Sequence, residues 1–214
     1  IGSQFINREL GQIEFNRRVL AQADNKDNPL LERLKFLCIV SSNLDEFFEV
    51  RVAGLKEQIT LDTHGFGPDG MLPQQVFKLV AEQAHSLVAR QYRLLNQDVL
   101  PGLANEGIRF LRRAAWNDAQ REWIKAFFFR ELMPVLTPIG LDISHPFPRL
   151  PNKTLNFAIE LEGKNAFGRS SGTAIVQAPG VLPRVILVPG EISTSEYNFV
   201  FLSSILHAHV GELF

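Results

Sequence analysis

The 214-residue sequence is 45% hydrophobic and 21% charged, with 22 Lys+Arg against 23 Asp+Glu and a formal net charge of -1. That balance excludes wholesale disorder and the bulk basic footprint of a nucleic-acid binder. No apolar run approaches the roughly 18 residues a membrane-spanning helix needs, and the N-terminus lacks the basic-then-apolar order of a signal peptide. The single cysteine, Cys38, excludes an intrachain disulfide and a multi-cysteine metal site. Cys38 lies in an apolar run, residues 37–40, and is expected to act as a small core hydrophobe. These features read as a cytosolic protein. The sequence opens on Ile1 without Met and stops at Phe214 inside an apolar, helix-like run, so it is expected to be a piece of a longer protein.

In chain order, apolar spacing predicts four helices in the first half. The first covers residues 8–23, with Asn7 as N-cap and Leu10, Ile13, Val19 and Leu20 facing inward. Pro29 opens a second over residues 30–40, since a first-turn proline lacks only an N–H that would be unpaired there. A third follows Asn43 and runs to about residue 61; Asn43 with Glu46 resembles a capping box. Glycines at 65, 67 and 70 break the chain. A fourth helix spans residues 73–98, with Phe77, Val80, Ala84, Val88 and Leu95 on one stripe, and Pro101-Gly102 ends it. Short links between helices imply an antiparallel bundle.

Near residue 106 the pattern changes. Residues 1–106 carry 11 Lys+Arg and 14 Asp+Glu, and residues 107–214 carry 11 and 9. Residues 108–111 read as a short strand, and residues 117–133 as a helix capped by Asn117 and ended by Pro134. A proline-rich connector covers residues 138–151. Alternation of Leu155, Phe157, Ile159 and Leu161 with polar or small neighbours marks a half-buried strand. After a turn-rich stretch, 163–172, further strands are expected at 173–178, 184–188 and 198–202, then a helix over 203–214. The expected fold class is α+β, with a helical bundle, 1–106, followed by an α+β domain, 107–214, that is cut short.

The motifs with known chemistry are weak. Gly65-Phe66-Gly67-Pro68-Asp69-Gly70 matches G-x-G-x-x-G, but a phosphate cradle needs a strand before it and a helix N-terminus at its last glycine. Here a helix precedes it and Pro68 removes one N–H, so it reads as an interhelix loop. No G-x-x-x-x-G-K-[ST] occurs. His207 and His209, two apart, fall about 200° apart on a helix and cannot share a ligand there; no H-E-x-x-H supports zinc. His145 before Pro146 reads as a fixed turn, and His64 and His85 have no local triad partners.

The third helix is the most informative. Leu44, Phe48, Val52, Leu55 and Ile59 form a bundle-facing stripe, while Asn43, Phe47, Val50 and Gly54 form a second, with Arg51 between them. Gly54 costs about 1 kcal/mol relative to Ala in a helix, consistent with a close approach there. Two readings stay open: the second stripe meets a ligand or another domain, or Phe47 and Val50 pack within the bundle and Asn43 is only a cap.

Four segments, Phe5-Ile6-Asn7-Arg8-Glu9-Leu10, Phe15-Asn16-Arg17-Arg18-Val19-Leu20, residues 28–37 and Ser42-Asn43-Leu44-Asp45-Glu46-Phe47-Phe48-Glu49-Val50-Arg51, resemble the N-terminal signature of the bacterial polyphosphate kinase family. Residues 145–157 and 201–210 resemble that family's second domain, and the likeness covers nearly the whole chain. Gly11-Gln12 departs from it, because related sequences commonly carry a small residue followed by an aromatic or aliphatic one. The resemblance implies an N-terminal helical domain and a head domain used in dimer contacts. Two phospholipase-D-like domains would follow, carrying the phosphorylated histidine and a second catalytic histidine, both beyond Phe214. It implies an ATP:polyphosphate phosphotransferase that reversibly moves the γ-phosphate onto polyphosphate. Mg²⁺ would be bound outside this chain, and ATP, ADP and polyphosphate would be the small-molecule partners. The enzyme would be a homo-oligomer joined through the head domain. A cytoplasmic location is implied, compatible with peripheral membrane association. No catalytic residue is assigned within this chain, which alone is expected to be inactive. Asn43 is the one position the resemblance carries over, as an ATP contact; a side-chain amide offers the donor and acceptor an adenine edge requires. The competing reading is a non-catalytic module in which residues 107–214 dimerise and the bundle is a rigid spacer.

Overall fold

A computed structural model describes residues 5–61, 65–141, 146–164 and 170–214. The expectations for His64 and His145 lie outside the described residues. The fold is α+β, with two compact units, 1–106 and 107–214.

The first unit is helical. Helix α1 (Arg8–Asp24) starts at Asn7, whose side-chain oxygen accepts from the Leu10 amide at 3.0 Å. Its inward face is Ile13, Asn16, Leu20 and Ala23; Leu10 and Val19, expected inward, are only partly buried. The next two predicted helices are one. Helix α2 (Leu30–Glu46) passes through a π-helical segment (Phe47–Val52) into α3 (Ala53–Thr60) with right-handed helical backbone throughout. Asn43 is therefore a mid-helix residue and not an N-cap. Its own carbonyl accepts from the Phe47 amide. Asn ordinarily breaks helices by competing for its own backbone, but here its amide is drawn away to α1: Asn43 Nδ2 donates to Asn16 Oδ1 at 2.9 Å.

The π segment also changes the helix phase. The Ala53 amide reaches back five residues to the Phe48 carbonyl, and each residue of such a wide turn rotates less than the α-helical 100°. Leu44, Phe47, Val52 and Leu55 consequently share the core face, and Phe48 is 41% exposed. The expected stripe is corrected at that position: Phe47 is the core aromatic. Cys38, expected in the core, is exposed, because Arg33, Leu37, Val40 and Leu44 take the inward face of α2.

Helix α4 (Pro73–Leu94) buries Val76, Val80, Ala84, Leu87 and Gln91. It continues past the expected stop at Pro101-Gly102, through a π segment (Leu95–Val99) into α5 (Leu100–Asn105). Pro101 is the second residue of α5, just past the π segment. Gly102 is a packing position, since an added Cβ would lie 3.1 Å from Leu30 Cδ2. The chain turns instead at Gly107, with φ +80°.

The second unit holds two three-stranded sheets. Strand β6 (Tyr197–Phe201) is central in the first, parallel to β1 (Ile108–Phe110) and antiparallel to β5 (Val185–Leu187). Strand β4 (Ser170–Ala178) is central in the second, antiparallel to β2 (Thr137–Leu141) and β3 (Leu155–Lys164). Strand β2 falls where a connector was expected, and its edge position is what lets it carry Pro138. Asn117 caps α6 (Asp118–Phe127) in a reciprocal capping box with Gln120. A π segment, Phe128–Leu132, follows it, and α7 (Leu202–His209) comes after β6. Ile124, Phe128, Val176, Val200, Leu202 and Ile205 belong to one core cluster that joins α6, both sheets and α7.

Because the π segment reverses the roles of two adjacent aromatics, Phe47→Ala should destabilise the protein by about 3–5 kcal/mol and Phe48→Ala by about 1 kcal/mol or less. Urea unfolding of the two variants measures the difference.

Candidate functional site

Asn43 stands at the end of a polar chain set into the apolar face of α1. Asn16 is fully buried; its Nδ2 donates to the Gln12 carbonyl at 3.2 Å and its Oδ1 accepts from Asn43. An amide buried among apolar side chains is costly unless bonded, so Asn16 fixes the orientation of Asn43. Asn43 itself is half-buried. Its Oδ1 has no partner among the described residues, leaving an acceptor on an immobilised side chain. Sequence reasoning overlooked Asn16, although a polar residue in the helical series Ile13, Asn16, Leu20 was the available signal.

The rest of the expected second stripe divides. Phe47 is buried, with its ring edge-on to Phe48 at 5.6 Å, whereas Val50 is 62% exposed. Val50, Arg51 and Gly54 line a cleft of about 680 Å³ whose other walls include Phe5, Arg8 and Phe66. Nothing among the described residues lies within 4 Å of a Cβ built on Gly54, so no described element makes a close approach there.

The glycine-rich segment closes one side of this cleft. It follows helix α3 and precedes α4 with no strand before it, so it is the interhelix loop its composition suggests. The Gly67 amide donates to the Met71 carbonyl at 2.9 Å, and the Gly70 amide donates to the Gly67 carbonyl at 2.9 Å. Gly70 adopts φ +79°. An added Cβ at Gly67 would approach Asp69 Oδ1 to 2.6 Å. Asp69 accepts from Asn7 Nδ2 and from the Met71 amide. The Asn7 bond, then the Met71 bond, hold its carboxyl below the usual carboxylate range. The carboxylate belongs to the loop's own hydrogen bonding and ties it to the start of α1.

In the second unit the two C-terminal histidines fall on different surroundings of α7. His207 is exposed, with Nδ1 2.6 Å from Arg113 Nη1, which makes that ring nitrogen the acceptor. His209 is half-buried and packs on Phe128, ring centroids 5.4 Å apart. Burial pushes its pKa below the ordinary histidine value; Lys125 adds to this and Glu212 partly opposes it. His85 is exposed on α4. Among the described residues no three His, Cys, Asp or Glu side chains converge as a metal site, and no helix is long and apolar enough to cross a membrane.

Residues 5–111 match the family model described as the polyphosphate kinase N-terminal domain, and residues 119–214 match that of the polyphosphate kinase middle domain. A polyphosphate kinase of Neisseria meningitidis serogroup C is 58% identical over 212 residues, covering 99% of this chain and 31% of that protein. One from Pseudomonas aeruginosa is 55% identical over 212 residues, with the same coverage, 99% and 31%. The crystal structure of polyphosphate kinase from Porphyromonas gingivalis aligns with a TM-score of 0.82 and 28% identity, over 98% of this chain and 30% of that chain. The chain thus spans about a third of the length of the curated relatives it matches.

The depressed pKa of His209 has a consequence for stability. The unfolded chain takes up this proton at higher pH than the folded one, so the contribution of neutral His209 is complete above about pH 6.5 and is lost as pH falls toward the lower folded pKa. The thermal transition should fall between pH 7.5 and pH 5, and His209→Gln should narrow that difference. Calorimetry of both proteins across this range checks it.

Proposed function

Since this chain belongs to the polyphosphate kinase family, we propose that it is the N-terminal and middle part of an ATP:polyphosphate phosphotransferase. The longer protein reversibly transfers the γ-phosphate of ATP to polyphosphate through a phosphohistidine outside residues 1–214. Within this part, Asn43 contacts ATP. The observation that carries this assignment is the pairing of a committed donor with a spare acceptor: Asn43 Nδ2 is held by buried Asn16, and Asn43 Oδ1 has no partner among the described residues. An amide oxygen fixed in this way suits the exocyclic amino group of an adenine.

Mg²⁺ is assigned to residues outside 1–214, a reading that rests on the family likeness alone. Oligomerisation is assigned to the second unit, supported by exposed apolar side chains on strands of one sheet, Leu187, Tyr197 and Phe201. A cytoplasmic location completes the proposal.

In the longer protein, Asn43→Ala should lower kcat/KM for ATP by roughly 5- to 150-fold, the equivalent of about 1–3 kcal/mol for a polar group left unmet. Steady-state ADP release with polyphosphate as acceptor, read beside a thermal melt of the same preparation, measures it. Unchanged kcat and KM for ATP would overturn the assignment.

A further inference from the structure

The second unit carries a cleft of about 640 Å³ that no step above uses. Three fixed cations line it: Arg113 from the turn before α6, and Arg121 and Lys125 from α6 itself. Glu122 is the one acidic residue among the described lining side chains, and Trp116 and His209 also stand in the walls. Arg121 and Lys125 are four residues apart and so neighbour each other on one helix face.

The cations are held in place by contacts that leave their charge available. Arg121 Nε donates to the Trp116 carbonyl at 3.0 Å, which fixes the guanidinium and leaves its terminal nitrogens. Arg113 Nη1 donates to His207 Nδ1, an uncharged acceptor, at 2.6 Å. The Lys125 ammonium lies 5.9 Å from the centroid of the Phe129 ring. None of the three forms an ion pair among the described residues. Trp116 is 4% exposed, and its buried indole N–H has no acceptor among the described residues. The cleft thus offers donors and positive charge, with one carboxylate set against them.

Arginine forks bind phosphate oxygens in pairs, and lysine binds them as a point charge. The volume lies in the range of small-molecule sites, larger than one phosphate fills, and the cations come from two elements. We propose that this cleft binds a segment of linear polyphosphate through Arg113, Arg121 and Lys125. The choice of polyphosphate among phosphate anions rests on the family reading above, whereas the anionic character of the ligand rests on the side chains.

Amine acetylation of the longer protein, read residue by residue by mass spectrometry, tests this. Long-chain polyphosphate should slow acetylation of Lys125 at least fivefold, while exposed Lys78 in the first unit is unaffected. The combined Arg113→Gln and Arg121→Gln variant should lose the protection. Equal labelling of Lys125 with and without polyphosphate in the wild-type protein would overturn the proposal, and so would protection that survives in the variant. Orthophosphate or ATP protecting as well as polyphosphate would also overturn it, because the ligand would then not be a phosphate chain. The same preparation, assayed for ATP-dependent polyphosphate synthesis, reports separately on the family reading: absent synthesis with intact protection would sink that reading alone.

Discussion

The first unit depends on one backbone feature, the widened turn between Phe47 and Val52. An α-helix carried unbroken from Leu30 to Thr60 would group Phe48, rather than Phe47, with Leu44, Val52 and Leu55. The π segment moves the core aromatic from Phe48 to Phe47, and the single helix keeps Leu37, Val40, Leu44, Phe47, Val52 and Leu55 buried. The same turn sends Val50 and Arg51 outward to the cleft and leaves Asn43, one turn earlier, beside α1. Core packing and the candidate ATP contact are therefore set by the same few residues.

Buried polar side chains hold the other elements to this helix. Arg33, 5% exposed, donates from Nε to the Ala23 carbonyl at 2.7 Å and from Nη2 to Asp98 Oδ2 at 2.6 Å. It thereby joins the end of α1, the start of α2 and the π segment after α4, and this bond holds the Asp98 carboxyl below its usual range. Gln91 Nε2 donates to the Leu37 carbonyl at 2.8 Å and to Ser41 Oγ at 2.7 Å, joining α4 to α2. With Asn16 and Asn43, these bonds place directional constraints where apolar contacts alone would let helices slide. Buried groups satisfied in this way favour one register, because each shift would leave a donor unmet.

Local chemistry made much of this legible in the sequence. Asn7 and Asn117 announce helix starts because a short polar side chain can accept from the first-turn amides. The alternation at residues 155–161 reports a strand with one covered face. What failed was long-range. Residues 41–43 look like a break until Asn16, 27 positions earlier than Asn43, supplies the partner that keeps the helix running. Pro101 looks like a stop because nothing nearby in sequence signals the π segment ahead of it. Pro138 hides a strand that only its edge position in the sheet permits. Cys38 sits in an apolar run, but helical geometry turns it outward. The polyphosphate kinase likeness was readable from short segments. The spare acceptor on Asn43 was not, because it follows from a contact between two helices.

The central claim is that Asn43, braced by Asn16, meets the nucleotide. A crystal structure of the longer protein with a non-hydrolysable ATP analogue tests it most directly. The account predicts Asn43 Oδ1 within about 3 Å of a nucleotide donor, a normal hydrogen-bond distance, with the Asn43 Nδ2 to Asn16 Oδ1 bond retained. A nucleotide bound out of reach of Asn43, with that amide oxygen facing a protein donor instead, would contradict it.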